Sequence, residues 1–322
     1  MTVGLDSTRS GSKQTIIGID LGGTKIAAGL LALPNGDTLA RRVIPSSATR
    51  GGPAVLDDVV ALARELAAEA VSLGHSVDAV GLGICELVDC DGRIMSANCV
   101  DWTQLPVLEQ LSSIAPTVIE ADVRAAATAE ALFGAGKAFR VFLYVTIGTG
   151  ISCCLMLDGA PYLGALGATG TMASSRLAVP CEACGQVSHR SLEEIAAGPA
   201  LVARYRKAGG HAENGKEVLA AASAGDAIAR EIVASATVAL GSQVGVLVSV
   251  LDPETVIIGG GLGLSEGPYW DHLIVATRRH IWSDAHRELP ILRAVTGADA
   301  GWMGAAARAW GHFNSTRLMT KR

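Results

Sequence analysis

Two segments of the chain repeat one pattern: an apolar run, a Gly/Thr turn, a second apolar run and a Gly-terminated hairpin. They read "IIGIDLGGTKIAAGLLALPNG" (16–36) and "VFLYVTIGTGISCCLMLDG" (141–159). Their spacing of about 125 residues is that of a duplicated supersecondary unit. Short apolar runs around such turns are strand–turn–strand units. The repeat predicts two similar α/β halves, each opening on a hairpin, with the turns facing one another.

The remaining elements fit that frame. "AVLDDVVALARELAAEAVSLG" (54–74) carries an apolar stripe at helical spacing, "VDAVGLGI" (77–84) and "TVIEAD" (117–122) read as buried strands, and "VRAAATAEALFG" reads as a helix stopping at Gly134. After residue 160 the pattern becomes irregular. Helices resume over 192–209 and 217–251, "ETVIIGGGLG" (254–263) is a strand running into three glycines, and 297–313 forms a last, Ala-rich helix.

Composition narrows the classes. The 322 residues are 49% hydrophobic but only 4% aromatic, which suits a packed α/β protein. A net charge of −5 without a basic block gives nucleic acid or an anionic membrane no electrostatic support. Ile232–Leu251 is uncharged, but Gly, Ser and Gln interrupt it inside an α/β pattern, so we expect a buried helix and no membrane span. Seven cysteines, an odd number with Cys153 and Cys154 adjacent, follow a polar N-terminus that lacks an apolar signal core. Free thiols and a cytoplasmic location follow.

A Gly-rich turn lets backbone N–H groups converge on an anion, because no Cβ blocks the approach. Gly22, Gly23 and Thr24, with Lys25 beside them, form one candidate cradle, and Gly148, Thr149 and Gly150 form the other. Together they would clamp a polyphosphate. Asp20 stands where it would hold Mg²⁺ through water. Gly259, Gly260 and Gly261 would admit a nucleotide's base and sugar. Neither the P-loop nor the GxGxxG spacing occurs at these sites.

The ordered motifs "IGIDLGGTKIAAGL", "NCVDW", "ADVRAAATAE", "VTIGTGIS", "LDPETVIIGGGL" and "GADAGWMGAAARA" resemble the ROK family of bacterial sugar kinases and related repressors, in the hexokinase/actin-like superfamily. The resemblance runs from about residue 15 to 310. It implies a two-lobed α/β ATPase fold with the sugar between the lobes and closure that excludes water. Residues 1–120 would form the small lobe, with the C-terminal helix at about 305–322 packing back on it, and 121–304 the large lobe. About 15 mostly polar residues precede "GIDLGGTK", without a DNA-binding helix-turn-helix, which favours the kinase branch over the repressors.

The same resemblance implies the roles. Asp122 corresponds to the family's general base, which takes the proton of the sugar's primary hydroxyl as it attacks the γ-phosphoryl of ATP. Asn98 and Glu193 correspond to sugar-contacting residues. A homo-oligomer is expected on the same ground.

Departures from the family concern the substrate. The family's Gly-Glu-x-Gly-His is here Gly167-Ala168-Thr169-Gly170-Thr171, so Thr171 stands for the sugar-contacting His. Cys85 and Glu86 replace a Pro-Gly beside the sugar ring. A carboxylate at 86 would suit an ammonium group. The expectation is a kinase for a modified hexose, best an amino sugar such as kanosamine from antibiotic precursor pathways. A C7-cyclitol, glucose, or a non-catalytic sugar-sensing role are the alternatives. The family's zinc site is also altered: Cys181, Cys184 and His189 give three of the usual four ligands, so zinc is possible.

Overall fold

The computed structural model describes residues 14–180 and 185–319. The first half comprises β1 (Gln14–Leu21), β2 (Lys25–Leu33), β3 (Asp37–Pro45), α1 (Gly52–Ser72), β4 (Val77–Ile84), α2 (Val107–Ser112) and β5 (Thr117–Ala121). Next come α3 (Asp122–Phe133), β6 (Val141–Ile147), β7 (Ile151–Leu157), β8 (Ala160–Pro161), β9 (Arg176–Pro180), β10 (Val187–Ser191), α4 (Glu193–Ala196), α5 (Gly198–Lys207) and α6 (Gly215–Ala224). The chain ends with α7 (Ala227–Leu251), β11 (Thr255–Gly259), α8 (Pro268–His280), α9 (Asp284–Arg287), β12 (Ile291–Arg293) and α10 (Ala300–Met319).

The duplication read from the sequence is a duplication of topology. One sheet has the order β3-β2-β1-β4-β5 and the other β8-β7-β6-β11-β12. In each, the first strand is central, pairs antiparallel with its hairpin partner on one side, and pairs parallel with a later strand on the other. The Gly/Thr turns fall at equivalent points: Leu21 pairs with Ile26 around the first, and Ile147 with Ile151 around the second.

Period-2 alternation fixes what each face covers. On β1, Ile17, Ile19 and Leu21 point into a core with α1, α2 and Trp102. Its other face carries Ile16, Gly18 and Asp20, with Ile16 packed against Trp302 and Ala306 of α10. On the second sheet, Leu143, Val145 and Ile147 face a core closed by α5 to α8, while Phe142 and Tyr144 face α3.

Helices α3 and α10 therefore form a layer between the two sheets, and small residues let them approach. A Cβ on Gly304 would lie 1.7 Å from the Ala125 carbonyl oxygen, and one on Gly81 would lie 1.9 Å from that of Ala305. Helix α7, long and apolar enough to cross a bilayer, has half of its apolar stretch inside the protein, with Ile232, Val233, Leu240, Val244 and Val248 in the core.

Three local expectations change. The helical segment 192–209 divides into α4 and α5 because Ala197 is extended (φ −72°, ψ 160°) ahead of Gly198-Pro199. The segment 217–251 divides where Gly225, left-handed at φ 105°, closes α6. The stretch read as irregular after 160 contains the antiparallel pair β9–β10, whose short strands carry too little apolar alternation to announce themselves.

Candidate active site

A cavity of about 710 Å³ opens where both sheets end and both central helices begin. Asp20, at the end of β1, and Asp122, the first residue of α3, both line it. So do Lys25, Lys216, Thr146, Gly260 and Gly261, and Ala300 and Gly301 from the start of α10. Two helix N-termini thus face one space, and aligned peptide dipoles favour an anion there. The carboxyl ends of parallel strands at a change of strand order are the usual ligand crevice of an α/β protein.

Sheet pleat and close packing place Asp20. It lies on the α10 face of β1, and a Cβ on Gly301 would come within 2.3 Å of its carboxylate. Burial, then the charge of Asp122, push its carboxyl up to about 7, while Lys25 pulls the other way. Burial also pushes Asp122 up to about 6; the Val123 N–H, donating to Oδ1 at 2.6 Å, opposes this, and the charge of Glu86 adds to it. Two carboxylates that resist ionising in one cavity, with two lysines beside them, fit a magnesium–nucleotide: the cation would sit on Asp20, and the phosphates against Lys25 and Lys216.

The first turn is tight, with the Gly22 N–H donating to the Lys25 carbonyl at 3.0 Å. Gly23 and Thr24 are exposed at its tip. In the second, the Gly148 N–H donates to the Gly150 carbonyl at 2.9 Å, and the Gly148 carbonyl accepts the Gly198 N–H. Gly148 lies beside Gly261, whose backbone nitrogen is 3.7 Å from a Cβ built on it. Thr149 lines a second cavity, shared with Glu193, Arg190 and Lys207.

Three expected site residues have partners within the protein. Glu86 is buried at 3% exposure, and its carboxylate is fully engaged. Oε1 accepts the N–H groups of Cys99 (2.5 Å) and Val100 (3.1 Å), and Oε2 accepts the Ser96 hydroxyl (2.5 Å) and the Asn98 N–H (2.7 Å). No lone pair is left for a substrate ammonium, so Glu86 holds the loop that presents Asn98. Gly259 is a packing residue, since a Cβ there would lie 2.3 Å from the Tyr144 hydroxyl. Glu193 Oε1 accepts the Ile151 N–H at 2.8 Å and so braces the second turn from behind.

Asn98 is exposed and donates through Nδ2 to Ser96 Oγ at 3.2 Å. Thr171 is exposed, its hydroxyl 3.5 Å from the Ala168 carbonyl. Of the zinc candidates, Cys181 and Cys184 lie outside the described residues, and His189 is exposed on β10.

Sequence reasoning missed one buried network. Arg124 donates to the Val88 carbonyl (2.7 Å) and the Gly167 carbonyl (3.1 Å), tying together the loops after β4 and β8. Its charge is paired with Glu120 at 2.5 Å, which also binds Arg308 of α10 at 2.8 Å. The four-residue spacing of Glu120 and Arg124 was no helical signal, because Glu120 lies on β5 and Arg124 on α3; Arg308 left none either. Lys216 was also missed, since it sits in an ordinary Asn-capped helix.

This arrangement is that of the two-lobed hexokinase/actin-like ATPase class. The ROK family model matches residues 16–311, and the chain belongs to the ROK family. It is 30% identical to a glucokinase of Streptomyces coelicolor over 312 residues, 90% of this chain and 96% of that one. It is 29% identical to an N-acetylmannosamine kinase of Escherichia coli O1:K1 / APEC over 307 residues, 93% and 99% of the two chains. Among solved structures, a ROK family glucokinase from Streptomyces griseus in complex with glucose and AMPPNP superposes with a TM-score of 0.78 at 27% identity, covering 92% of this chain and 99% of that one.

Proposed function

We propose that the protein transfers the γ-phosphoryl group of ATP to the primary hydroxyl of a hexose or hexose-like ring. It is an ATP-dependent carbohydrate kinase, in keeping with its family and with glucokinase and N-acetylmannosamine kinase relatives that align over nearly the whole chain. The observation that carries the reading is the joint placement of Asp122 and Asp20 in one cavity with two lysines and two helix N-termini. Asp122 takes the hydroxyl proton, Asp20 would hold a Mg²⁺ that neutralises phosphate charge, and Lys25, Lys216 and the start of α10 would offset the rest.

The amino-hexose reading, kanosamine in particular, loses its motive because Glu86 has no free acceptor. Ala168 and Thr171 still weaken contacts at the anomeric end of the ring, which keeps a sugar with an altered anomeric end, or a cyclitol, beside glucose as acceptor. ATP consumption with glucose, N-acetylmannosamine, kanosamine and a C7-cyclitol tests this. Turnover with none of them would remove the kinase reading, and a clear preference for kanosamine would restore a role for a substrate amine.

We place the lobe boundary near residue 120, with α10 returned to the first lobe by its packing on β1 and β4. A cytoplasmic location is supported by the free thiols of Cys85, Cys90, Cys99, Cys153 and Cys154. A homo-oligomer is supported by exposed apolar side chains near one end of α7, Trp282 at 88% and Val250 at 72%; size-exclusion chromatography with light scattering checks it.

A further inference from the structure

We propose that Cys85 and Cys99 form an oxidisable dithiol, a reversible modification site beside the first Gly turn. Cys85 directly follows β4, and its N–H donates to the Leu21 carbonyl at 3.2 Å. Cys99 sits on the loop that Glu86 holds, and its N–H donates to Glu86 Oε1. The two sulfurs and the Glu86 carboxylate converge within 4.8 Å of one another. Cys99 is exposed and Cys85 half-buried, so an oxidant reaches one sulfur while the other waits behind it. A Cβ on Gly23 would lie 3.4 Å from Cys99 Sγ, which puts this sulfur against the turn expected to cradle phosphate.

The other described cysteines lack this arrangement. Cys153 and Cys154 are buried, and burial raises both thiols, Cys153 to about 11. Cys90 is exposed, with backbone carbonyls as its sulfur's partners. The hydrogen bond from Cys85 holds the Cys99 thiol below its usual range, which favours the attacking thiolate. A metal is the poorer reading of the same cluster. Glu86 already accepts four hydrogen bonds, leaving two sulfurs where structural zinc takes four ligands.

The oxidant is a hydroperoxide. The Cys99 thiolate attacks one peroxide oxygen, the O–O bond breaks, hydroxide leaves, and Cys99 becomes a sulfenic acid. The Cys85 sulfur then attacks the Cys99 sulfur. The S–S bond forms, the S–O bond breaks, and the hydroxyl departs as water with the Cys85 proton. The two thiols give up two electrons, and the peroxide takes them. Closing the bond draws the sulfurs to about 2.0 Å. That pulls Cys99 from its Glu86 bond and from Gly23, and displaces Asn98 next to it.

The test treats the full-length protein with hydrogen peroxide, blocks remaining thiols, and maps peptides without reduction. The expected result is a peptide pair joining Cys85 to Cys99, two hydrogens lighter than the free pair. Sugar-dependent turnover should fall on the order of 100-fold at full oxidation and return with dithiothreitol. The Cys99→Ser variant should show a treated-to-untreated ratio near one, and Cys85→Ser should give no cross-link and carry Cys99 as a sulfenic acid trapped by dimedone. A cross-link only at Cys181–Cys184, or inactivation that persists in both variants, overturns the proposal. The peptide readout needs no catalysis, so failure of the kinase reading and failure of this one are distinguishable.

Discussion

The buried carboxylate of Glu86 accepts the backbone N–H of Asn98 at 2.7 Å, and by that bond and three others it shapes the whole 96–100 loop. A position that resembled a substrate contact is an anchor for the loop that carries Asn98, the proposed contact. Replacing Glu86 by Gln turns one acceptor into a donor that faces N–H or O–H groups. Glu86→Gln should destabilise the fold by about 3 kcal/mol, measured by urea unfolding. It should also raise the sugar KM well above its effect on the ATP KM.

Asp122 is the proposed base, so Asp122→Asn should lower kcat by on the order of 1,000-fold while ATP affinity, read by calorimetry, stays near that of the wild type. Retained turnover would remove Asp122 from the chemistry.

The pH profile follows from the same carboxyl. A base must be ionised to accept a proton, and Asp122 is pushed up to about 6. The value of kcat/KM for the sugar should be flat above that pH and fall about tenfold per pH unit below it. Were the limb to lie near 4, burial would not be setting this group.

Asp20 predicts a stability effect of definite sign. The folded state pushes its carboxyl up to about 7 from an ordinary 3.8, so the folded protein holds this proton more tightly than the unfolded chain. Stability contributed by the group is therefore present at low pH and is lost as pH rises from about 4 to about 7. Asp20→Asn should raise the stability of the nucleotide-free protein at pH 8 by on the order of 2 kcal/mol, after discounting for solvent screening, with no gain at pH 4. The same variant should lose turnover. Thermal melts at the two pH values, beside an activity assay, check both arms.

Gly301 faces Asp20 so closely that any side chain displaces the carboxylate. Gly301→Ala should abolish most activity without unfolding the protein, because it sits in the first turn of α10. A Cβ on Gly311 in the same helix has open space beyond its own helix, so Gly311→Ala should leave kcat unchanged while adding about 0.5–1 kcal/mol of stability.

Arg124 makes the last prediction. Arg124→Ala strips donors from the Val88 and Gly167 carbonyls and leaves buried Glu120 with Arg308 as its remaining charged partner, beside the Ala121 N–H that donates to its Oε1. The loss should be about 3–5 kcal/mol. Arg124→Lys should recover little of it, since one ammonium cannot reproduce a planar fork to two carbonyls. Denaturant unfolding of the two variants measures the difference.

Much of the fold was legible because its signals are local. The paired hairpins, the α1 stripe and the Gly134 stop depend on periodicity and turn chemistry within a few residues. The positions of Asp20 and Asp122 at strand ends were legible for the same reason, although the strand expected through Asp122 ends one residue earlier. The partners of Glu86, Gly259 and Glu193 inside the protein were not, because each is set by what packs against it: loop 96–100, the Tyr144 hydroxyl and the Ile151 N–H.

By itself the sequence determined the two hairpin-led halves, their glycine turns and the acids at their strand ends, since alternation and backbone sterics are properties of adjacent residues. Only the tertiary structure decided which acid faces the cavity and which is spent inside the protein. That choice rests on close approach and hydrogen-bond saturation between residues far apart in the chain, as when Glu120 meets Arg308 across 188 positions. No local pattern encodes such a meeting.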